Sequence, residues 1–226
     1  MILASLILPV LNEETTLPSL LTALQPLRSA GVEVILVDGG SQDATCKLAL
    51  GQVDQLLQAP PGRAGQMNLG AQAAQGPWLF FLHADTSLTP EASDRLLQVA
   101  AGEEAAWGRF DVCILGQARL LRLVALLMNL RSRWTGIATG DQLIFMHQAL
   151  FHALGGYPEQ PLMEDIEISK RLKKMQRPWC LREKVLTSGR RWEQKGLWRT
   201  IFLMWRLRWR YWRGTPAREL VKAYYP

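Results

Sequence analysis

Apolar runs and helical periodicities alternate along the first hundred residues. Four short, largely apolar runs predict strands, at residues 2–10, 33–37, 52–57 and 79–82. Leucines three and four residues apart predict a helix from Pro18 to about Ala30, and further helices are predicted to begin near Arg63 and Pro90. This alternation predicts right-handed βαβ units and a largely parallel sheet that is buried on both faces.

The pattern changes beyond about residue 105. Strands are predicted at 107–114 and 143–146, and helices at 120–130 and from Pro161 onward. The predicted fold class is α/β, with a mixed, mostly parallel central sheet flanked by helices and a C-terminal amphipathic helical tail. The predicted units are residues 1–188, made of halves at about 1–104 and 105–188, and the segment 189–226.

Residues 196–213 combine aromatic and basic positions at helical spacing. The aromatic stripe consists of Trp198, Phe202, Trp205, Trp209 and Trp212. The neighbouring basic stripe consists of Arg199, Arg206, Arg210 and Arg213. The spacing predicts an amphipathic helix whose aromatic stripe either packs on the rest of the protein or lies in the headgroup layer of an anionic membrane. Nucleic acid is not expected as a partner, because stacking on single strands requires separate exposed rings along a groove.

The positive charge of the chain is concentrated in the same segment. The formal net charge is +6 in 226 residues, and residues 190–213 contain eight Arg or Lys and one acid, Glu193. The rest of the chain is therefore close to neutral, and the basic segment predicts a local anionic partner.

Cysteine usage and hydropathy indicate the compartment. Cys46, Cys113 and Cys180 are far apart and match neither a disulfide framework nor a zinc spacing, so we expect reduced thiols in a cytoplasmic protein. No window of 18 uncharged apolar residues and no N-terminal signal are visible. The predicted localisation is cytoplasmic, with peripheral contact at the cytoplasmic membrane face as the alternative that the tail raises. The oligomeric state is not predicted.

Polar residues follow the predicted strands of the first half. The run 79–82 leads directly into His83-Ala84-Asp85, and the run 33–37 leads into Asp38-Gly39-Gly40-Ser41. In open α/β sheets, ligands bind at the carboxyl ends of the strands. Asp85 could hold Mg²⁺ or Mn²⁺ at that edge, or it could simply begin a turn.

The second half adds two candidate segments. Gly136–Gln142 is a glycine-rich loop, and Glu164-Asp165 opens the helix predicted from Pro161. Acids in a first helical turn suit the helix dipole without any further role. A carboxylate there could also accept a proton from a substrate.

Four landmarks occur in order: Pro9-x-x-Asn12-Glu13, Asp38-Gly39-Gly40-Ser41-x-Asp43, His83-x-Asp85 and Glu164-Asp165. Together they resemble the family 2 glycosyltransferases, which have the GT-A fold. The resemblance covers about residues 2–175. A bacterial subset that is associated with arsenosugar biosynthesis is similar in Gly140-Asp141-Gln142 and in Pro161-Leu162-Met163-Glu164-Asp165.

The resemblance implies a role for each matched residue. The nucleotide-sugar donor would be bound by Pro9, Asn12, Glu13, Asp38, Gly40, Arg63, Asn68, His83, Ala84, Asp85 and Arg191. The acceptor would be bound by Gly140, Asp141, Gln142 and Glu164. The metal ligands would be Asp85 and, more weakly, His83, which replaces the first aspartate of the usual motif. Gly39 also replaces an aspartate that usually follows Asp38, so the resemblance favours uracil as the base without fixing it.

The resemblance implies an inverting transfer of a sugar from a nucleotide-sugar, such as a UDP-sugar, to a small-molecule or lipid-linked hydroxyl acceptor. Asp165 would act as the general base, supported by Glu164, with Mg²⁺ or Mn²⁺ on the diphosphate. One alternative is a sugar nucleotidyltransferase, although residues 11–14 lack the glycine-rich basic loop expected after the first strand. Another is a non-catalytic protein that binds a membrane or RNA surface through its tail.

Overall fold

One mixed sheet forms the centre of the computed structural model, which describes residues 1–224 apart from the side chains of residues 191, 194 and 195. Its strands are β1 (Ala4–Val10), β2 (Val32–Asp38), β3 (Gln55–Gln58), β4 (Trp78–Phe81), β5 (Thr86–Leu88), β6 (Trp107–Leu115), β7 (Ile144–His147) and β8 (Trp179–Ser188). The strand order is β3-β2-β1-β4-β7-β6-β8-β5.

The first four strands are parallel, as predicted. Leu6 of β1 lies opposite Val34 of β2 and Phe80 of β4. Every residue of β1 and β2 is buried, as expected for strands covered on both faces. Because the carboxyl ends of these strands are aligned, the polar residues that follow them meet at one edge of the sheet.

The remaining strands make the sheet mixed. β7 is antiparallel to β4 and β6, whereas β8 is parallel to β6 and antiparallel to β5. The predicted fold class is confirmed, but β5 and β8 were not predicted. Arg109 pairs with Cys180 and Asp111 with Lys184, so β8 takes four steps where β6 takes two. β8 could not be recognised from its sequence, because this bulge and the three consecutive charged residues 182–184 interrupt its alternation of apolar and polar positions.

The helices are α1 (Leu17–Ser29), α2 (Thr45–Ala49), α3 (Arg63–Ala73), α4 (Pro90–Ala100), α5 (Leu120–Thr135), α6 (Gln148–Leu154), α7 (Glu164–Met175), α8 (Arg190–Lys195), α9 (Leu197–Trp212) and α10 (Ala217–Tyr224). The inner leucines of α1 are buried as predicted. Thr89 caps α4 by accepting a hydrogen bond from Ala92 N–H at 3.2 Å. α5 continues beyond Leu130, the predicted end, until Gly136 adopts a left-handed conformation.

Helix α3 lies unusually close to the sheet. A Cβ on Gly70 would be 2.6 Å from Ile7 Cγ2, so only glycine permits this approach. Gln66 Nε2 donates hydrogen bonds of 2.8 Å to the carbonyl oxygens of both Val10 and Val37. These contacts fix the start of α3, with Arg63, at the carboxyl ends of β1 and β2.

A buried ion network joins β6 to α5. Arg109 has no exposed surface and donates hydrogen bonds to Asp111, to Ser132 Oγ (3.1 Å) and to Asn129 O (3.1 Å). Asp111 also accepts a hydrogen bond of 2.6 Å from Arg133 Nη2. The network satisfies a fully buried guanidinium and holds α5 against the sheet.

Helix α9 packs on the start of α7 with the face opposite its aromatic stripe. Leu207 is 1% exposed and belongs to an apolar cluster with Met163, Ile166 and Leu220. The five aromatic side chains of the stripe are each between 57% and 75% exposed, so the interpretation that the stripe packs on the rest of the protein is wrong. In the described part of the chain, no helix has the length and apolarity to cross a bilayer.

Candidate active site

The loops after β1 and β2 are held together by reciprocal hydrogen bonds. Asn12 N–H donates to Ser41 Oγ, and Gln42 N–H donates back to Asn12 Oδ1, each at 2.8 Å. Glu13 N–H donates to Thr45 Oγ1 at 2.8 Å. Asn12 adopts a positive φ of 54°, a conformation that asparagine tolerates better than most residues. The loops after β1 and β2 therefore form one wall of the candidate site, and this wall contains the predicted donor residues Asn12 and Glu13.

Asp38 organises the turn at the end of β2. Its carboxylate accepts hydrogen bonds from Gly40 N–H (2.9 Å) and Ser41 N–H (3.0 Å), and Gly40 has a φ of 93°. Burial raises the pKa of Asp38, but the hydrogen bonds from Ser41 and Gly40 outweigh burial and leave this pKa below its usual range. Asp38 is 1% exposed, so the carboxylate shapes the turn, and its contact with a base stays a prediction.

Other predicted donor residues lie around this wall. Pro9 is buried within β1, and Arg63 begins α3. Asn68 lines a cavity of about 570 Å³ between α3 and the loop after α6. The Asn68 amide binds both backbone polar groups of Tyr157, at 2.8 and 2.9 Å, so it connects α3 to that loop. The side chain of Arg191 lies outside the described residues.

The segment after β4 places two predicted metal ligands in different environments. Asp85 is exposed, and among the described residues its carboxylate accepts one long hydrogen bond, from Thr86 Oγ1 at 3.3 Å. An exposed carboxylate of this kind suits a hard divalent cation. His83 is buried against Gly140, where a Cβ would lie 2.5 Å from His83 Nε2, and Ala84 is also buried. The arrangement favours Asp85 over His83 as a ligand. Among the described residues, no group of three or more His, Cys, Asp or Glu side chains could hold a metal.

The loop at residues 140–142 links this segment to α7. His83 Nδ1 lies 3.8 Å from Asp141 Oδ1. Partial burial raises the pKa of Asp141, but the nearby imidazole of His83 outweighs this effect, so the pKa lies below its usual range. Gln142 has no exposed surface, and its amide contacts Thr139 and Asn129. That placement favours a role for Gln142 in shaping the loop over direct contact with an acceptor.

Asp165 stands half-buried in the first turn of α7. Its Oδ2 accepts a hydrogen bond of 3.0 Å from Gly140 N–H, and its Oδ1 accepts one of 2.7 Å from Ile166 N–H. Met163 precedes the helix with a φ of 66°. Gly140 thus contacts His83 on one side and Asp165 on the other, which joins the β4 segment to the catalytic candidate.

Glu164 differs from its neighbour in burial. It is 7% exposed, and burial together with the charge of Asp165 raises its pKa above the usual range. A raised pKa favours the protonated form of Glu164, and a protonated carboxyl group can donate a hydrogen bond to a bound ligand beside Asp165.

Two arginines at the site were not singled out from the sequence. Arg131 of α5 and Arg208 of α9 both lie near Asp165; burial lowers the pKa of each arginine, and the negative charge of Asp165 opposes that lowering. One signal was available for Arg208, because it lies four residues after Met204 and three before Tyr211, on the face of α9 that packs inward. No comparable signal marked Arg131, since its position depends on how α5 packs on the sheet.

The sheet and the acids at its carboxyl edge define the class of protein, which has the GT-A fold. The chain belongs to a family described as glycosyl transferase family 2, whose model matches residues 5–123. It is 32% identical over 167 residues to a PGL/p-HBAD biosynthesis glycosyltransferase from Mycobacterium bovis (strain BCG / Pasteur 1173P2), covering 67% of this chain and 59% of that protein. The chain therefore spans about three-fifths of the length of this curated relative.

Two solved structures share the fold. Staphylococcus aureus TarS 1-349 in complex with UDP-GlcNAc matches with a TM-score of 0.65 and 18% identity, over 83% of this chain and 58% of that chain. Glucosyl-3-phosphoglycerate synthase from Mycobacterium tuberculosis in complex with Mn²⁺, UDP and glucosyl-3-phosphoglycerate matches with a TM-score of 0.58 and 21% identity, over 80% and 70%.

Proposed function

We propose that the protein transfers a sugar with inversion from a nucleoside-diphosphate sugar, and specifically a UDP-sugar, to an acceptor hydroxyl. The observation that carries this proposal is a set of contacts at the carboxyl edge of the sheet. His83, two residues before Asp85, packs against Gly140, and Gly140 N–H donates a hydrogen bond to Asp165. Two acids with separate duties suffice for such a transfer. Family membership supports the reaction class, and the UDP complexes of the structural neighbours support the donor.

Asp165 has the placement that a general base requires. The backbone N–H groups of Gly140 and Ile166 hold its carboxylate in one orientation while leaving lone pairs available. Asp165 would take the proton of the acceptor hydroxyl as that oxygen attacks the anomeric carbon opposite the departing diphosphate. Glu164 would orient the acceptor. Mg²⁺ or Mn²⁺ held by Asp85 would supply positive charge for the diphosphate.

Two other functions fit the site less well. A sugar nucleotidyltransferase needs a flexible basic loop after the first strand, whereas residues 12–14 are acidic or polar and are bonded to the loop after β2. A purely structural protein has no need for Glu164, whose burial beside Asp165 opposes its ionisation. The narrower likeness to arsenosugar-associated enzymes stays a prediction, because it rests on residues 140–142 and 161–165 alone.

Donor binding is the first experimental test. In calorimetric titrations with a panel of nucleoside diphosphates, we expect one, UDP, to bind only when Mn²⁺ is present, because Asp85 would hold a cation that supplies positive charge for the diphosphate. Asp85→Ala is expected to abolish this binding. Asp94→Ala, an exposed change on α4, serves as the matched control and should bind as the wild type does. Absence of binding by every nucleotide would contradict the proposed function.

We also propose that the exposed stripe of α9 rests on an anionic membrane surface. The stripe is flanked by basic residues, and α5 presents a further set of exposed apolar side chains, Leu123, Leu126, Leu127 and Trp134. α8, which precedes α9, is linked to the loop before α5, since Glu193 accepts a hydrogen bond of 2.7 Å from Gln117 N–H. Aromatic side chains beside arginines suit the headgroup layer of an anionic bilayer.

Vesicle flotation tests this surface. We expect the protein to float with vesicles that contain phosphatidylglycerol and not with pure phosphatidylcholine vesicles. Exchange of both Trp205 and Trp209 for serine should weaken binding by about tenfold or more, because apolar burial in the interface is lost. Leu50→Ser removes an exposed apolar side chain beyond α2 and serves as the control. Equal flotation of all three proteins would contradict membrane contact through α9.

A further inference from the structure

Helix α9 brings an arginine into the candidate active site from the C-terminal segment. Leu207 packs on Met163 and Ile166, which flank the two acids at the start of α7. Arg208 is the next residue, and it lies close enough to Asp165 and Asp141 for both charges to act on it. One face of α9 therefore completes the site while the opposite face carries the exposed aromatic stripe.

Arg131 approaches the same place from α5. Its Nε and Nη2 are shielded from solvent and have no hydrogen-bond partner among the described residues. Burial, together with the charges of Arg208 and Arg109, lowers the pKa of Arg131 to about 10 despite the opposing effect of Asp165. Buried guanidinium nitrogens without partners destabilise a protein unless a ligand supplies acceptors.

The acids nearby have other hydrogen-bond partners. The Asp165 carboxylate accepts hydrogen bonds from the backbone N–H groups of Gly140 and Ile166, and the Asp141 carboxylate lies 3.8 Å from His83 Nδ1. Within residues 1–224, no direct ion pair joins Arg131 or Arg208 to either acid. Two guanidinium groups therefore lie near the catalytic candidate without a direct ion pair to it among the described residues.

We propose that Arg131 and Arg208 together bind a phosphomonoester group of the acceptor, next to Asp165. Guanidinium groups bind phosphate through planar, two-pronged hydrogen bonding, and two of them match a dianion. The inference rests on the proposed glycosyl transfer and narrows its acceptor to a phosphorylated molecule. The phosphate belongs either to a lipid headgroup or to a small soluble molecule.

Binding of two phosphate probes in the presence of Mn²⁺ and saturating UDP tests the proposal, since the donor diphosphate site is then filled. The probes are farnesyl phosphate and glycerol 1-phosphate, with farnesol as the uncharged comparison. We expect a phosphate probe to bind and farnesol not to bind. Tighter binding of farnesyl phosphate would identify a lipid acceptor, and tighter binding of glycerol 1-phosphate a soluble one.

The arginine variants supply the decisive comparison. Arg208→Gln and Arg131→Gln should each raise the dissociation constant of the phosphate probe by about 10-fold to 100-fold, the range for losing a charged hydrogen bond. Arg177→Gln, at an exposed position after the end of α7 and outside the proposed membrane surface, should leave the constant unchanged. Without ligand, Arg131→Gln should melt no lower than the wild type, because the substitution removes shielded unpaired nitrogens.

Three results would overturn the proposal. They are equal phosphate binding by Arg208→Gln, Arg131→Gln and the wild type, failure of both phosphate probes to bind the UDP-loaded protein, and a clearly lower Tm of Arg131→Gln. The first two leave donor binding intact and reject only the anion site. Failure of every nucleoside diphosphate to bind, with phosphate binding still dependent on the arginines, would instead reject the donor and keep the anion site.

Discussion

Replacing Asp165 with asparagine is expected to lower kcat by about 100-fold to 10,000-fold, the usual contribution of a general base. The Asp165 carboxylate is held by two backbone N–H groups, and asparagine keeps the size of the side chain and one acceptor oxygen but cannot take a proton. Donor affinity should change little, because Asp85 lies on a different segment. The effect is measured as the release of nucleoside diphosphate from nucleotide-sugars that carry the base identified by calorimetry.

The same substitution at an exposed aspartate provides the control. Asp94→Asn on α4 should retain full activity and the wild-type Tm. The Tm of Asp165→Asn is measured together with kcat. Both carboxylate oxygens of Asp165 accept hydrogen bonds from backbone N–H groups, and the NH₂ group of asparagine cannot replace one of these acceptors. A folded Asp165→Asn protein with unchanged kcat would remove Asp165 from the role of base and leave Glu164 as the nearest candidate.

Much of the donor half could be predicted because its signals are local in the sequence. Strands buried on both faces read as apolar runs, as β1 and β2 do, and each is followed by the polar residues that it delivers to the edge of the sheet. The resemblance assigned Asn12 and Asp38 to one donor site. The hydrogen bond between Asn12 and Ser41 shows that the loops carrying these residues lie side by side.

The acceptor side could be predicted only in part, because its geometry depends on packing between distant segments. Gly140 sits at the site since it alone fits against His83, a contact that no spacing reveals. Arg208 is 43 positions after Asp165 and reaches it only because α9 folds back onto α7. The aromatic stripe of α9 is visible in the sequence, whereas Arg208 lies on the inner face of the helix.

The two faces of α9 give a physical reason for its position. A helix that places Arg208 beside Asp165 and an aromatic stripe in solvent would hold the site at a fixed distance from any surface that binds the stripe. An acceptor with an anionic group near such a surface could then reach both arginines without leaving it. The membrane and phosphate proposals are thus separate in their evidence but compatible in geometry.

Removal of the Asp111 carboxylate is expected to destabilise the protein by about 3 kcal/mol, the lower end of the range for breaking a buried ion pair. Arg109 is fully buried, and Asp111 is the acid that neutralises it while also binding Arg133. In Asp111→Ala, Arg109 keeps its bonds to Ser132 and Asn129, which limits the loss. Urea denaturation at equilibrium measures the free energy of unfolding.

Another arginine–aspartate pair in the same chain separates burial from pairing. Arg28 and Asp54 form an ion pair of 2.7 Å whose side chains are 22% and 37% exposed. Because exposed pairs contribute little, Asp54→Ala should lower the free energy of unfolding by about 1 kcal/mol or less, beyond the loss of its hydrogen bond to Val34 N–H. If Asp111→Ala and Asp54→Ala had the same free energy of unfolding, burial of Arg109 would not explain the contribution of Asp111. The ion network between β6 and α5 would then contribute no more to stability than an exposed ion pair does.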